Sequence, residues 1–250
     1  RDRLSATASE PLPDTTAWAH RLCAVGAASK QNFAQVAAAE SGPVHPYRLA
    51  VAVAAALPRD AVVCLDGGES HSWIDMTAHS DAPGRWLGHG YVGCMGEGLP
   101  LAVGAQVANP GRRVVLFTGD GSIGFNFAEF DTLVRHGLPV VVVVNNDQMW
   151  GMSAHGQDLM YGEGRRMVSD LGRTRYEQAA AGFGCHAEFV EDVAQLDAAL
   201  ARALASNRPA CVNVMTDPAV MHPITQRFVG RMAERDAERN FVPYADDLEA

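Results

Sequence analysis

The stretch Pro139-Val140-Val141-Val142-Val143-Val144-Asn145-Asn146-Asp147 decides the fold. Its unbroken valines are β-branched and favour extended backbone. A strand with one wet face would alternate, so this run belongs at the centre of a parallel sheet covered on both sides. It then breaks into side chains that carry oxygen, at the edge where open parallel sheets bind ligands.

Working upstream, Asn126 to His136 reads as a helix and Arg113 to Thr118 as a second buried strand, joined by Gly119-Asp120-Gly121-Ser122. Glycine-freed amides and a hydroxyl at a helix start favour an anion. An acidic residue inside such a nest makes sense when a cation lies between it and the anion, so Asp120 reads as a Mg2+ ligand. An isolated Gly-Asp-Gly is more often only a tight turn. The oxygen cluster ending the neighbouring strand turns the pair of loops into a candidate Mg2+-diphosphate site.

The same alternation extends both ways. Pro46 stands at a helix start, Tyr47 to Leu57 has helical spacing, and Pro58 stops it. Ala61 to Leu65 is a short strand running into Asp66-Gly67-Gly68, and Gly96 to Val107 a small-residue helix. Downstream come helix Arg175 to Gly182, strand His186 to Val190, helix Val193 to Ala205 and strand Ala210 to Met215. The expected fold class is α/β, a doubly wound, mostly parallel sheet with helices on both faces. Residues 1–42 read as a linker or arm with a short helix near Thr16 to Val25, 43–216 as the domain, and 217–250 as a solvated tail or a lid.

Composition narrows the function. The 250 residues carry a net charge of −9 with no basic patch, which argues against a nucleic-acid partner. The apolar runs are far shorter than the roughly 20 residues of a membrane span. Cys23, Cys64, Cys94, Cys185 and Cys211 show no paired spacing, which suggests a reducing cytoplasm. The chain starts at Arg1 without an initiator Met, which suggests a fragment or processed product. No Gly-x-Gly-x-x-Gly opens a helix after the first strand, so a nicotinamide site is disfavoured.

The Gly-Asp-Gly-Ser turn, helix, buried strand and Asn-Asn-Asp end together resemble the thiamine-diphosphate enzymes of acetolactate synthase, benzaldehyde lyase and 2-hydroxyacyl-CoA lyase type, in their diphosphate-binding domain. The likeness runs from Pro43 to Glu249, and Arg1 to Gly42 resembles the preceding connector. It implies thiamine diphosphate and Mg2+ as cofactors. By position it makes Asp120, Asp147 and the Met149 carbonyl the metal ligands, with Asn146 as the alternative to Asp147. Many relatives carry Asn where Asp147 stands.

The resemblance also implies a cofactor cradle of Gly68, Glu69, Ser70, Gly119, Gly121 and Ser122. Gly93 would meet the aminopyrimidine through its carbonyl, and Met95 would be the wedge that holds the cofactor bent. Met149, Trp150, Gly151 and Met152 would follow the metal loop along the cofactor. Trp150, Met152, His155 and Gln157 are candidate substrate-pocket residues. His155 and His71 are of acid/base type, but neither has a partner legible in the sequence, so both read first as structural.

The activating Glu of the family lies in a pyrimidine-binding domain that no stretch here resembles. The expectation is therefore half of a 2-oxo acid decarboxylase or carboligase. It would be inert alone and need that domain as a separate subunit or a missing N-terminal part, in a homo- or hetero-oligomer. Two other readings stand beside it: a lyase on 2-hydroxyacyl-CoA or an aromatic 2-hydroxy ketone, suggested by Glu129 to Arg135, and a non-catalytic cofactor-binding regulatory subunit.

Overall fold

The computed structural model describes residues 14–78, 80, 82–162 and 164–238, without the side chains of 233–238. The chain divides into two compact units after Gln35. In the first, helix α1 (Thr16–Asn32) starts with the Thr16 amide donating to Asp14 and carries no buried residue.

The second unit is built on six parallel strands: β1 (Val62–Leu65), β2 (Trp86–Leu87), β3 (Val114–Gly119), β4 (Val141–Asn146), β5 (His186–Val190) and β6 (Ala210–Met215). Their order across the sheet is β2-β1-β3-β4-β6-β5. The valine run is central and fully buried, flanked by β3 and β6. Burying each such side chain contributes roughly 1.5–3 kcal/mol, so the doubly covered strand anchors the fold. The α/β reading of the sequence and its parallel sheet are thus what the chain adopts.

Helix α2 (Pro46–Ala56) has Pro46 in its first turn and the His45 ring accepting from the Tyr47 amide. Helix α3 (Glu69–Asp75) follows β1 directly, and α4 (Gly98–Ala108) precedes β3. The segment after β3 is a single turn, α5 (Asp120–Ile123), then a 3-10 turn, then α6 (Glu129–Arg135). The helix expected from Asn126 therefore starts at Glu129, because the backbone first tightens around Gly124. Beyond β4 come α7 (Gly151–Tyr161), α8 (Tyr176–Phe183) and α9 (Val193–Ala205), the last closed by a capping box between Asp192 and Gln195.

Among the elements not read from the sequence are β2, α3, α7 and α10 (Pro223–Glu238). The tail at 217–250 is in part this helix, packed against α7 and α3 rather than merely solvated. Phe241 to Tyr244 lie outside the described residues. Among the described residues no helix is long and apolar enough to cross a membrane.

Candidate cofactor site

Strands β1, β3 and β4 lie side by side and end in register, Leu65 beside Phe117 and Gly119 beside Asn145. Their following loops therefore meet in one cavity of about 470 Å3, within the usual range for small-molecule sites. Its wall includes Gly68, Glu69 and Ser70 from the first loop, Asp120 and Ser122 from the second, and Asp147 from the third.

Glycines let these segments touch. A Cβ on Gly119 would lie 2.9 Å from Ser70 Oγ, one on Gly68 3.1 Å from Met152, and one on Gly151 2.4 Å from Asp147 Oδ2. The last is far inside contact distance, so only glycine fits between the third loop and the start of α7. Gly121 packs against the Trp150 ring, which meets Phe125 edge-on at 5.4 Å.

Asp120 and Asp147 are both buried, and each lies close enough to shift the other's titration. Burial, with the Asp147 charge beside it, pushes Asp120 well above the usual carboxylate range. Burial also pushes Asp147 up to about 6, against the hydrogen bond from the Met149 amide and with the Glu69 charge adding. Asp120 Oδ1 accepts from the Gly121 amide, whereas Oδ2 is buried with no hydrogen-bond donor. Two like charges and an orphaned oxygen at one spot are costly unless a cation or a proton sits between them.

Gln148, in the same turn, has φ of 64°, a left-handed conformation uncommon outside glycine and asparagine. It is held by the Asn146 side-chain oxygen accepting from the Gln148 amide. Asn146 also donates to Asn213 and to the Thr174 carbonyl, so its side chain is engaged away from the carboxylate pair. Asn145 instead donates to Ser70 Oγ and accepts from Thr216 Oγ1, joining the first loop to β4 and β6. No three His, Cys, Asp or Glu side chains cluster as a metal site among the described residues.

The turn at Gly93 to Gly96 is tied to the cavity by a residue that sequence reasoning passed over. Buried Asp66 accepts from the amides of Gly67 at 2.7 Å, Gly96 at 3.1 Å and Gly98 at 2.9 Å. A Cβ on Gly98 would lie 2.5 Å from Asp66, so Gly98 brings the start of α4 against the carboxylate. Gly93 (φ 68°) and Met95 both line the cavity, and Met95 is partly exposed to it.

The other sequence candidates fall in different places. Met149, Trp150, Gly151 and Met152 line the cavity. His155 stands behind it, buried, with Nδ1 3.1 Å from both Glu69 carboxylate oxygens and Nε2 3.0 Å from the Pro218 carbonyl. Both ring nitrogens thus face acceptors and donate as an imidazolium. Burial alone would depress His155, but the Glu69 bond and charge, with the Pro218 carbonyl, outweigh it and raise its pKa. Gln157 is turned to the 167–169 segment, accepting from the Met167 amide and Ser169 Oγ.

Residues 66–214, more than half of the chain, match the family model "Thiamine pyrophosphate enzyme, C-terminal TPP binding domain". A probable acetolactate synthase of Mycobacterium bovis is 39% identical over 221 residues, spanning 88% of this chain and 40% of that protein. A 2-hydroxyacyl-CoA lyase 2 of Caenorhabditis elegans is 34% identical over 181 residues, spanning 70% of this chain and 28% of its own. Among solved structures, the thiamine diphosphate-dependent 4-hydroxybenzoylformate decarboxylase of Rhodococcus jostii RHA1 superposes with a TM-score of 0.65 at 25% identity, over 70% of this chain and 33% of that one. The chain thus spans about two fifths, or less, of the length of these relatives.

Proposed function

Since this chain belongs to the thiamine pyrophosphate enzyme family and carries its C-terminal cofactor-binding domain, we propose that it is the Mg2+-thiamine-diphosphate half of a 2-oxo acid decarboxylase or carboligase of acetolactate-synthase type. The observation that carries the metal is the buried, donor-less Asp120 Oδ2 against Asp147. Asp120 and Asp147 would hold Mg2+ with the Met149 carbonyl, and diphosphate oxygens would complete the shell. We take residues 43–216 as the domain that does this, and a cytoplasmic setting as the natural one.

Gly68, Glu69 and Ser70 would cradle one side of the diphosphate, and Gly119, Gly121 and Ser122 the other. Gly93 would accept from the aminopyrimidine, and Met95 would hold the bound shape. When bound, the cofactor supplies the nucleophilic carbon and the electron sink of the reaction. The chain's own part is to bind and orient it and to exclude water. Glu69 is fixed by the His155 ring, which meets both its carboxylate oxygens, so this wall of the cavity has one arrangement. Activation would come from the Glu of a pyrimidine-binding domain, as another subunit or a preceding part of a longer protein, in an oligomer. The chain alone should be inert.

A second reading, lyase chemistry on a 2-hydroxyacyl-CoA, is favoured by the similarity to the worm protein of that name. Calorimetry of the full chain with thiamine diphosphate should show binding that requires Mg2+, and no metal-dependent binding in the presence of the partner domain would refute both enzyme readings. Turnover of pyruvate by the reconstituted pair supports the first; silence on pyruvate with activity on a 2-hydroxyacyl-CoA selects the second. Cofactor binding without turnover on either would leave a regulatory subunit.

A further inference from the structure

The turn that carries Asp147 and Met149 is braced from behind by residues outside the cavity. The Gln148 carbonyl accepts from the amides of Leu171 at 2.8 Å and Gly172 at 3.2 Å, and the Gln148 amide donates to Asn146 Oδ1 at 3.1 Å. Asn146 Nδ2 donates in turn to Asn213 Oδ1 at 3.0 Å and to the Thr174 carbonyl at 3.1 Å. Asn213, on β6, donates from Nδ2 to Glu177 Oε2 at 2.8 Å and to the same carbonyl at 3.1 Å. Glu177, in the first turn of α8, takes the Arg175 guanidinium on Oε1. Asn146, Asn213 and Glu177 are all buried, and none is among the described residues that line the cavity.

This chain of bonds has a direction. A carbonyl accepts only, and so does a carboxylate that faces a guanidinium, so Thr174 and Glu177 draw the NH2 groups of both asparagines toward them. All the side-chain N–H bonds of the two asparagines are then spent. Asn213 Oδ1 is left for Asn146, and Asn146 Oδ1 for the Gln148 N–H. Turning either amide round would set its oxygen against the Thr174 carbonyl, and turning Asn146 would also set NH2 against the Gln148 N–H. A buried network with its bonds made in one sense holds one arrangement.

What the network holds is the left-handed Gln148, a conformation that persists only where its surroundings over-determine it. The bond about which that φ is measured lies between Asp147 and the Met149 carbonyl. Resting on the reading of this turn as part of a Mg2+ site, we propose that Glu177, Asn213 and Asn146 are positioning residues. Acting through the Gln148 amide, they set the angle between two of the metal's ligands, and so the metal affinity of a site that none of them touches. Asn146, the alternative ligand on sequence grounds, is then a brace and not a ligand, because its oxygen and both its hydrogens are engaged behind the turn.

The lever is the polarity of the network. Without the acceptor at Glu177, Asn213 is oriented by one carbonyl alone, and the Asn146 oxygen is no longer tied to the Gln148 amide. The turn then relaxes toward ordinary backbone angles, and the Met149 carbonyl swings away from Asp147. The loss falls on the metal, whereas the Gly68 to Ser70 and Gly93 to Met95 walls of the cavity keep their own supports.

The test uses the full chain assembled with its pyrimidine-binding partner, with Mg2+ and thiamine diphosphate as ligands. Calorimetry at saturating cofactor should find Mg2+ binding weakened about 10–100-fold in Glu177→Met, the usual worth of a partner behind a metal ligand. Glu177→Gln, which keeps an oxygen for Asn213, should lose less, and Asn213→Leu at least as much as Glu177→Met. Cofactor affinity in excess Mg2+ should move little in all three. A role in folding alone would lower the melting temperature of the unliganded chain and leave the Mg2+ constant of the folded variants unchanged, and that result overturns the proposal. Asn146→Asp should also weaken Mg2+ binding, since its second oxygen would meet the Thr174 carbonyl; tighter binding would make residue 146 a ligand and overturn the brace. Independently of any variant, NMR of the unliganded native chain should show the Gln148 N–H and the Asn146 and Asn213 NH2 groups protected from exchange, and rapid exchange of all three overturns it too. Unmoved variants of a native assembly that does need Mg2+ leave the metal-site reading standing; a native assembly that binds thiamine diphosphate without need of Mg2+, or not at all, overturns both.

Discussion

Asp120 and Asp147 illustrate how much one contact can decide. Each is ordinary in sequence, one in a glycine turn and one after a strand, yet the register of β3 on β4 presses them together out of water. Without a cation, the pair stabilises neither itself nor its neighbours. Replacing Asp120 with Asn should therefore leave the unliganded chain as stable as before or more so, since it removes a like charge and supplies an amide donor for Asp147. The same variant should lose the rise in melting temperature that Mg2+ with thiamine diphosphate gives the native chain. Paired thermal melts with and without both ligands check this, and a large loss of unliganded stability would contradict it.

Some residues were legible for chemistry and others were not, for a physical reason. Asp120 and Asp147 announced themselves because glycines and a valine strand frame them. Asp66 read as part of a turn, since its partners, Gly96 and Gly98, are thirty residues away and offer only backbone amides. His155 had no visible partner because Glu69 comes from another loop, 86 positions upstream. Long-range pairs of this kind leave no periodic trace.

At the level of elements, the buried strands and the helices with strong spacing were readable, whereas β2, α3, α7 and α10 were not. β2 is a two-residue edge strand, and α3 follows Gly68 and α7 starts at Gly151, glycines that look like turn residues. Helix α10 is mostly polar, and what holds its start is tertiary. The His222 ring packs on Trp73 at 4.2 Å, its Nδ1 accepts from the Ile224 amide, and Nε2 faces the Met76 sulfur. Burial pushes His222 down to about 4.

The sign of the resulting pH dependence follows from linkage. Unfolded, this histidine takes up its proton near pH 6.5, and folded only near 4, so acid favours the open form. The stability it contributes is complete above about pH 6.5 and is lost as the pH falls toward 4. Hydrogen exchange in α10 should quicken over that window, and His222→Gln should flatten the response. Unchanged protection of α10 from pH 7 to pH 4 would contradict the assignment.

On the scale of the molecule, the middle of the sheet is buried while one rim of the cavity carries exposed apolar side chains. Tyr91, Val92, Met95, Phe125 and Met152, all on segments that build or adjoin the cavity, remain exposed. Apolar surface grouped around a site is costly in a lone soluble chain, and a partner domain would cover it. Native mass measurement should find the chain in an assembly, and Val92→Asp with Phe125→Asp should shift it toward the single chain while its circular dichroism is kept. A native chain that stays single at every concentration would count against the partner.

The crowding of carboxylates at the ends of β3 and β4 reaches beyond chemistry. A pocket that repels itself when empty should be where the molecule opens first, with the third loop the segment that proteases reach. Occupancy by the proposed cofactor and metal would close it by mass action. Supply of the proposed cofactor would then set how long each copy survives, and copies left empty would be cleared ahead of those that are loaded.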